Sequence, residues 1–261
     1  MMWSIPEFVL ALVFLAGFLA AIEGGFRLGL RRSDRGDESD RNHLGALQAA
    51  VLGLLALLLG FTFFMSVSRF DTRKALVLEE ANAIGTTYLR ARFLPAEQQE
   101  PAQGLLRAYV TARLAFFDAG IDKARIAKAN ADATAIESQL WALAVTATER
   151  DPHAVSLGLF IQALNDMIDI QEKRQTALDN HVSEPVLYLL LVASIMAMGL
   201  LGHGCGLDRR RRFPSNALFA LLIVLVLVTI LDLDRPRRGL IEVSQDSMAR
   251  LAATLESQQK Q

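Results

Sequence analysis

Four stretches without a charged residue interrupt an otherwise polar chain, at residues 8–22, 44–68, 185–207 and 213–231. The second run is 25 residues long, more than the ~20 a helix needs to cross the hydrocarbon core of a bilayer. The first is shorter, and a secretory leader is the alternative for it. That reading needs basic residues ahead of the run and a small-x-small cleavage site, and the opening MMWSIPE has neither Lys nor Arg. Four retained spanning helices are expected.

The segment between the second and third runs, residues 69–184, keeps a helical rhythm almost throughout. Phe70, Val77, Ala81, Ile84 and Tyr88 recur at helical spacing, and Arg69, Arg73, Glu80, Thr87 and Arg90 mark the opposite face. The second span is therefore predicted to continue as one rod from about residue 44 to 94, bending if anywhere at Gly85 and stopped by Pro95. Further helices are predicted over residues 96–117 and 121–150, divided by Asp118-Ala119-Gly120, with Asp151-Pro152 ending the second of them. Another runs over 153–183 into the third span through Glu184-Pro185, and 235–261 reads as a final amphipathic helix. No β-branched alternation marks a strand. The fold class predicted is an all-α membrane protein: a helix pair in 1–68, a helical bundle outside the membrane in 69–184, a second pair in 185–233, and a C-terminal helix in 234–261.

Composition sharpens this picture. Hydrophobic residues make up 52% and charged residues 21% of the chain, and the mean hydropathy is +0.29, as expected of a membrane protein. A net charge of −1 gives no basic surplus for nucleic acid. The single cysteine, Cys205, excludes an intrachain disulfide or a thiolate metal cluster. The position of the arginines is more telling than their number. Residues 27–41 hold five Arg, and Asp208 is followed by four in a row. An even number of spans puts both short loops on one side, which the positive-inside rule makes cytoplasmic. The middle domain and both termini then lie on the other face.

Candidate chemistry is sparse. His43, His153 and His181 lack partners at metal-ligand spacing, and His203-x-Cys205 sits in a small-residue turn that suits helix packing better than a metal. There is no phosphate-binding loop and no nucleophile motif, so neither an enzyme nor a cofactor is expected. Glu79 and Glu80 read as partners of Arg73, Lys74 and Arg90 on a solvated helix. The exit of the second span is more informative. Phe61, Met65 and Ser68 share one helical face, with Phe64 on the next, and around a shared axis such residues would form an apolar constriction. From sequence alone, contact of these rings with lipid or a neighbouring helix is the favoured reading. Arg69, Arg73, Glu79 and Glu80 follow as candidates for charged rings.

Leu59-Gly60-Phe61, Val67 and Arg69-Phe70 resemble the pore-helix signature of bestrophin chloride channels. The wider string, from Arg69-Phe70-Asp71 and Arg73 through Glu79, Glu80, Asn82, Gly85 and Thr86 to Tyr88-Leu89-Arg90 and Leu94-Pro95, is similar to bacterial "bestrophin-like domain" proteins. That resemblance implies four spans, an oligomer in a bacterial inner membrane, and a path for an inorganic ion along the second span. Asn82, Gly85, Thr86 and Arg90 are its motif residues. It also implies a cytoplasmic middle domain, whereas the arginine loops put that domain outside. Two functions follow: an oligomeric, channel-like protein, or a non-conducting sensor or scaffold. The absence of charge within the four runs favours the second. The orientation is testable directly. A cysteine introduced near Asn130 is expected to react with a membrane-impermeant maleimide on intact spheroplasts; labelling only after lysis reverses the topology.

Overall fold

The computed structural model describes residues 6–32, 38–151 and 154–259. Among the described residues eight α-helices follow one another: α1 (Glu7–Arg32), α2 (Glu38–Arg90), α3 (Ala96–Asp118), α4 (Lys123–Arg150), α5 (Val155–Asp179), α6 (Glu184–Leu207), α7 (Phe213–Leu233) and α8 (Asp246–Gln259), with a 3-10 turn over Ala91–Phe93 after α2. No strand occurs among the described residues. The four apolar runs lie in α1, α2, α6 and α7, helices long and apolar enough to cross a membrane. The middle of the arginine loop before α2, residues 33–37, and the expected helix break and start at Pro152 and His153 lie outside the described residues.

The helices divide into two compact units. The first draws on Met1–Arg69 and His181–Arg235. Its core contains Phe18 and Ile22 of α1, Leu55 and Leu59 of α2, Leu190 and Met198 of α6, and Ala220, Val224 and Ile230 of α7. Between α1 and α6 the contact is made by glycines. A Cβ at Gly25 would run into the carbonyl oxygen of Gly199, at Gly202 into that of Ile22, at Gly29 into that of His203, and at Gly206 into that of Phe26. Lipid tails are as apolar as leucine, so helices in a bilayer gain from close packing rather than from leaving water, and small residues four apart permit it.

From its uniformly apolar sequence alone α7 reads as a lipid-facing helix, yet half of its most apolar window is buried, 50% against 22% for α1 and for α2. Ala220 is fully enclosed. The cause is that lipid and the interior of a helix bundle are both apolar, so hydrophobicity alone does not separate the two faces. At the end of α7 polar residues find partners inside the unit: Asp234 accepts from the Val182 N–H at 2.8 Å, and Arg235 lies 3.8 Å from Glu7.

The second unit draws on Phe70–Asn180 and Pro236–Gln261. Ile84 and Tyr88 of α2, Leu106 and Tyr109 of α3, Leu140 of α4, Phe160 and Leu164 of α5, and Met248 and Leu255 of α8 form its core. Asp122 caps α4 by accepting from the N–H groups of Ala124 and Arg125 at 2.9 and 3.2 Å. The final helix is shorter than the sequence suggested. Pro236 bars a helical Arg235 and Gly239 adopts a φ of +118°, so residues 236–245 run as an irregular strap before α8 begins.

The glycine contact predicts its own mutational signature. Gly202→Ala is expected to lower thermal stability in mild detergent by the equivalent of about 1–3 kcal/mol. Gly60→Ala, where a Cβ meets nothing within 4 Å, is expected to be neutral or slightly stabilising. Unfolding followed by circular dichroism compares the two.

Candidate functional site: the faces of α2

α2 runs unbroken for 53 residues, about 80 Å at the rise of an α-helix. It passes through Gly85 without a break, and a Cβ there would lie 3.4 Å from the Leu251 side chain of α8. Exposed positions recur every three or four residues: Leu57, Phe61, Phe64, Ser68, Asp71, Ala75, Leu78, Asn82 and Thr86. Phe61 and Phe64 are 65% and 72% exposed. Met65 is half-buried, packs on the core of the first unit and brings its sulfur to 3.9 Å from Arg69 Nη2. It sits at the border of the exposed stripe rather than on it.

The two arginines that were candidates for a charged ring at the exit are turned inward. Arg69 donates to the His181 carbonyl at 3.0 Å. Arg73, buried at 2% exposure, donates to the carbonyls of Ala177 and Asn180, both at 2.9 Å. These acceptors lie at the C-terminal end of α5, where carbonyl oxygens lack helical partners and a cation is favoured. At this level the exposed charges of α2 are Asp71 and Lys74 instead.

Glu80 also differs from the solvated partner expected of it. Its side chain is fully buried; Arg113 of α3 donates through Nε to Oε1 at 2.6 Å, and Arg174 of α5 pairs with Oε2. Arg174 reaches on to Gln245 Oε1 of the strap at 2.5 Å. Nearby, the Tyr109 hydroxyl donates to Glu137 at 2.8 Å. Burial raises the pKa of both groups, and it lowers that of the Arg174 guanidinium. Local spacing could not supply these partners, which come from other helices. One signal was available: Leu106, Tyr109, Val110, Arg113 and Phe116 share a stripe on α3 and are buried together, which puts a guanidinium on an apolar face.

The motif residues separate into two groups. Asn82, Thr86 and Arg90, with Glu79, line a cleft of about 420 Å³ whose other wall is Gln162, Asp166, Asp169 and Lys173 of α5. Arg90 spends Nη1 on the Leu159 carbonyl at 2.8 Å. Gly85, by contrast, lies beside Leu251 of α8. Among the described residues no three His, Cys, Asp or Glu side chains converge as metal ligands, and Cys205 accepts a hydrogen bond from Asn216 at 3.5 Å.

The Bestrophin-like domain matches residues 16–248, and the chain belongs to that family. A bacterial bestrophin homologue from Klebsiella pneumoniae, carrying an isoleucine-to-threonine substitution, shares the fold with a TM-score of 0.66 at 16% identity, covering 97% of this chain and 99% of that one. A membrane protein with a glycine-to-alanine substitution gives 0.68 at 15% identity, covering 98% and 99%. At such identities the likeness is one of fold. No curated protein matches.

The buried carboxylate gives a direct prediction. Glu80→Ala strands two buried guanidiniums and is expected to cost about 3–5 kcal/mol of stability. Glu79→Ala, on the exposed side, is expected to change it by less than about 0.5 kcal/mol. Denaturant titration of the purified variants measures both.

Proposed function

We propose that this protein is an oligomeric, channel-like membrane protein in which copies of α2 surround a shared path for an inorganic ion. The observation that carries this reading is the exposed stripe of α2, with Phe61 and Phe64 standing out from the first unit. Around an axis these rings, with Ser68 beyond them and Met65 at the border, form a constriction that gates by dewetting. Asp71, Lys74 and Glu79 are the exposed charges that follow, and they replace Arg73 and Glu80 as candidates for rings at the exit. Membership of the Bestrophin-like family supports the reading. The arginines of α1, of the loop after it and of the loop after α6 favour a cytoplasmic position for both short connections, with α3, α4 and α5 outside the membrane on the other face. The second reading, a sensor or scaffold, is favoured by the polar cleft between α2 and α5.

Purified protein in planar bilayers is expected to conduct, and Phe61→Ala with Phe64→Ala to raise the unitary current several-fold by widening the constriction. Gly60→Leu is expected to disrupt assembly in mass photometry, whereas Leu218→Phe, at an exposed position of α7, leaves it intact. A wild-type protein that is monomeric at micromolar concentration in mild detergent excludes a shared path.

A further inference from the structure

The buried charges of the second unit do not balance. The strap brings Arg237 over the Phe116 ring, with its guanidinium carbon 3.9 Å from the ring centroid. Arg113 stands over the same ring at 4.7 Å, so the two guanidinium carbons lie within about 9 Å of each other. Arg174 is the third cation of the group.

The acids around them are already committed. Glu80 has one oxygen on Arg113 and the other on Arg174. Glu137 holds the Tyr109 hydroxyl, and its burial opposes ionisation. Asp179 is exposed at the end of α5 and accepts from Gln175 at 3.0 Å. Two consequences are visible. Arg113 Nη1 is buried with no hydrogen-bond partner, although a guanidinium N–H removed from water costs free energy unless it finds an acceptor. The Arg237 pKa falls to about 10, through burial first and then the charges of Arg174 and Arg113, which outweigh the opposing charge of Asp179.

An aromatic ring favours cations over its faces and negative charge at its edge. Cations already stand over Phe116, and the unpartnered Nη1 of Arg113 belongs to one of them. We propose that Arg113 and Arg237 hold one small inorganic anion beside Phe116, a site within the helical unit and independent of any conduction path. Bound there, the anion supplies the missing acceptor to Arg113 Nη1 and offsets the repulsion among three arginines. A halide and an inorganic oxyanion meet these needs by the same chemistry.

The test uses the full-length protein in mild detergent, unfolded thermally at equal ionic strength in sodium gluconate, chloride, bromide or phosphate. The midpoint is expected to rise by several degrees in chloride and bromide, in phosphate, or in both, and to saturate as one site does. A rise in the halides alone makes the ligand a halide, and a rise in phosphate alone makes it an oxyanion. Arg237→Gln is expected to abolish the saturable rise and, because the repulsion is relieved, to match or exceed the wild type in gluconate. The exposed Arg250→Gln is expected to keep the full rise. Where bromide acts, crystals grown in it are expected to show an anomalous peak within hydrogen-bond distance of Arg113 Nη1. Identical wild-type midpoints in all four salts would overturn the proposal, and so would an anion response that survives Arg237→Gln.

Discussion

A carboxylate removed from water must be met by positive charge, and Glu80 is met by two guanidiniums from two other helices. That requirement sets the rotation of α2. Arg73 and Thr87, each seven residues from Glu80, fall on nearly the same side of the helix and are buried with it. Phe64, sixteen residues earlier, lies about 160° away at roughly 100° per residue, on the far side. In its apolar half, Leu55 and Leu59 pack into the core of the first unit and leave Phe61, Phe64 and Ser68 exposed.

The two units are held by different forces. In the second, buried aromatic and aliphatic side chains are removed from water and a few strong polar contacts orient them. In the first, leaving water contributes little between spans, and what distinguishes one helix pair from another is how closely backbones approach. Gly25 and Gly29 against Gly202 and Gly206 give α1 and α6 that closeness. It explains why GLLGHGCG reads as a packing surface and not as a ligand site, even though it contains His203 and Cys205.

Much of this was legible in the sequence because it depends on near neighbours along the chain. Charge-free runs placed the four apolar helices, Pro95 placed the end of the α2 rod, and Asp118-Ala119-Gly120 placed the turn between α3 and α4. What escaped depends on partners distant in sequence. Arg73 and Glu80 looked solvated because a helical wheel registers charge without registering what lies opposite it. Pro236 and Gly239 are the local signals for the non-helical segment 236–245, which the amphipathic reading of 235–261 did not include. For α7 the limit is physical: an apolar residue facing lipid and one facing other helices satisfy the same solvation requirement. The outward face of α2 became assignable only once the buried face had been identified by its contacts.

The central claim is that the outward stripe of α2 faces the same stripe on other copies. Single cysteines along α2, in a Cys205→Ser background, test it most directly by oxidative crosslinking in membranes. Symmetry-related pairs are expected at Phe61, Phe64 and Ser68, rising and falling with the helical period, and not at the buried Leu59 and Ser66. Crosslinking that is absent at all five positions, or that shows no helical period, would contradict the account.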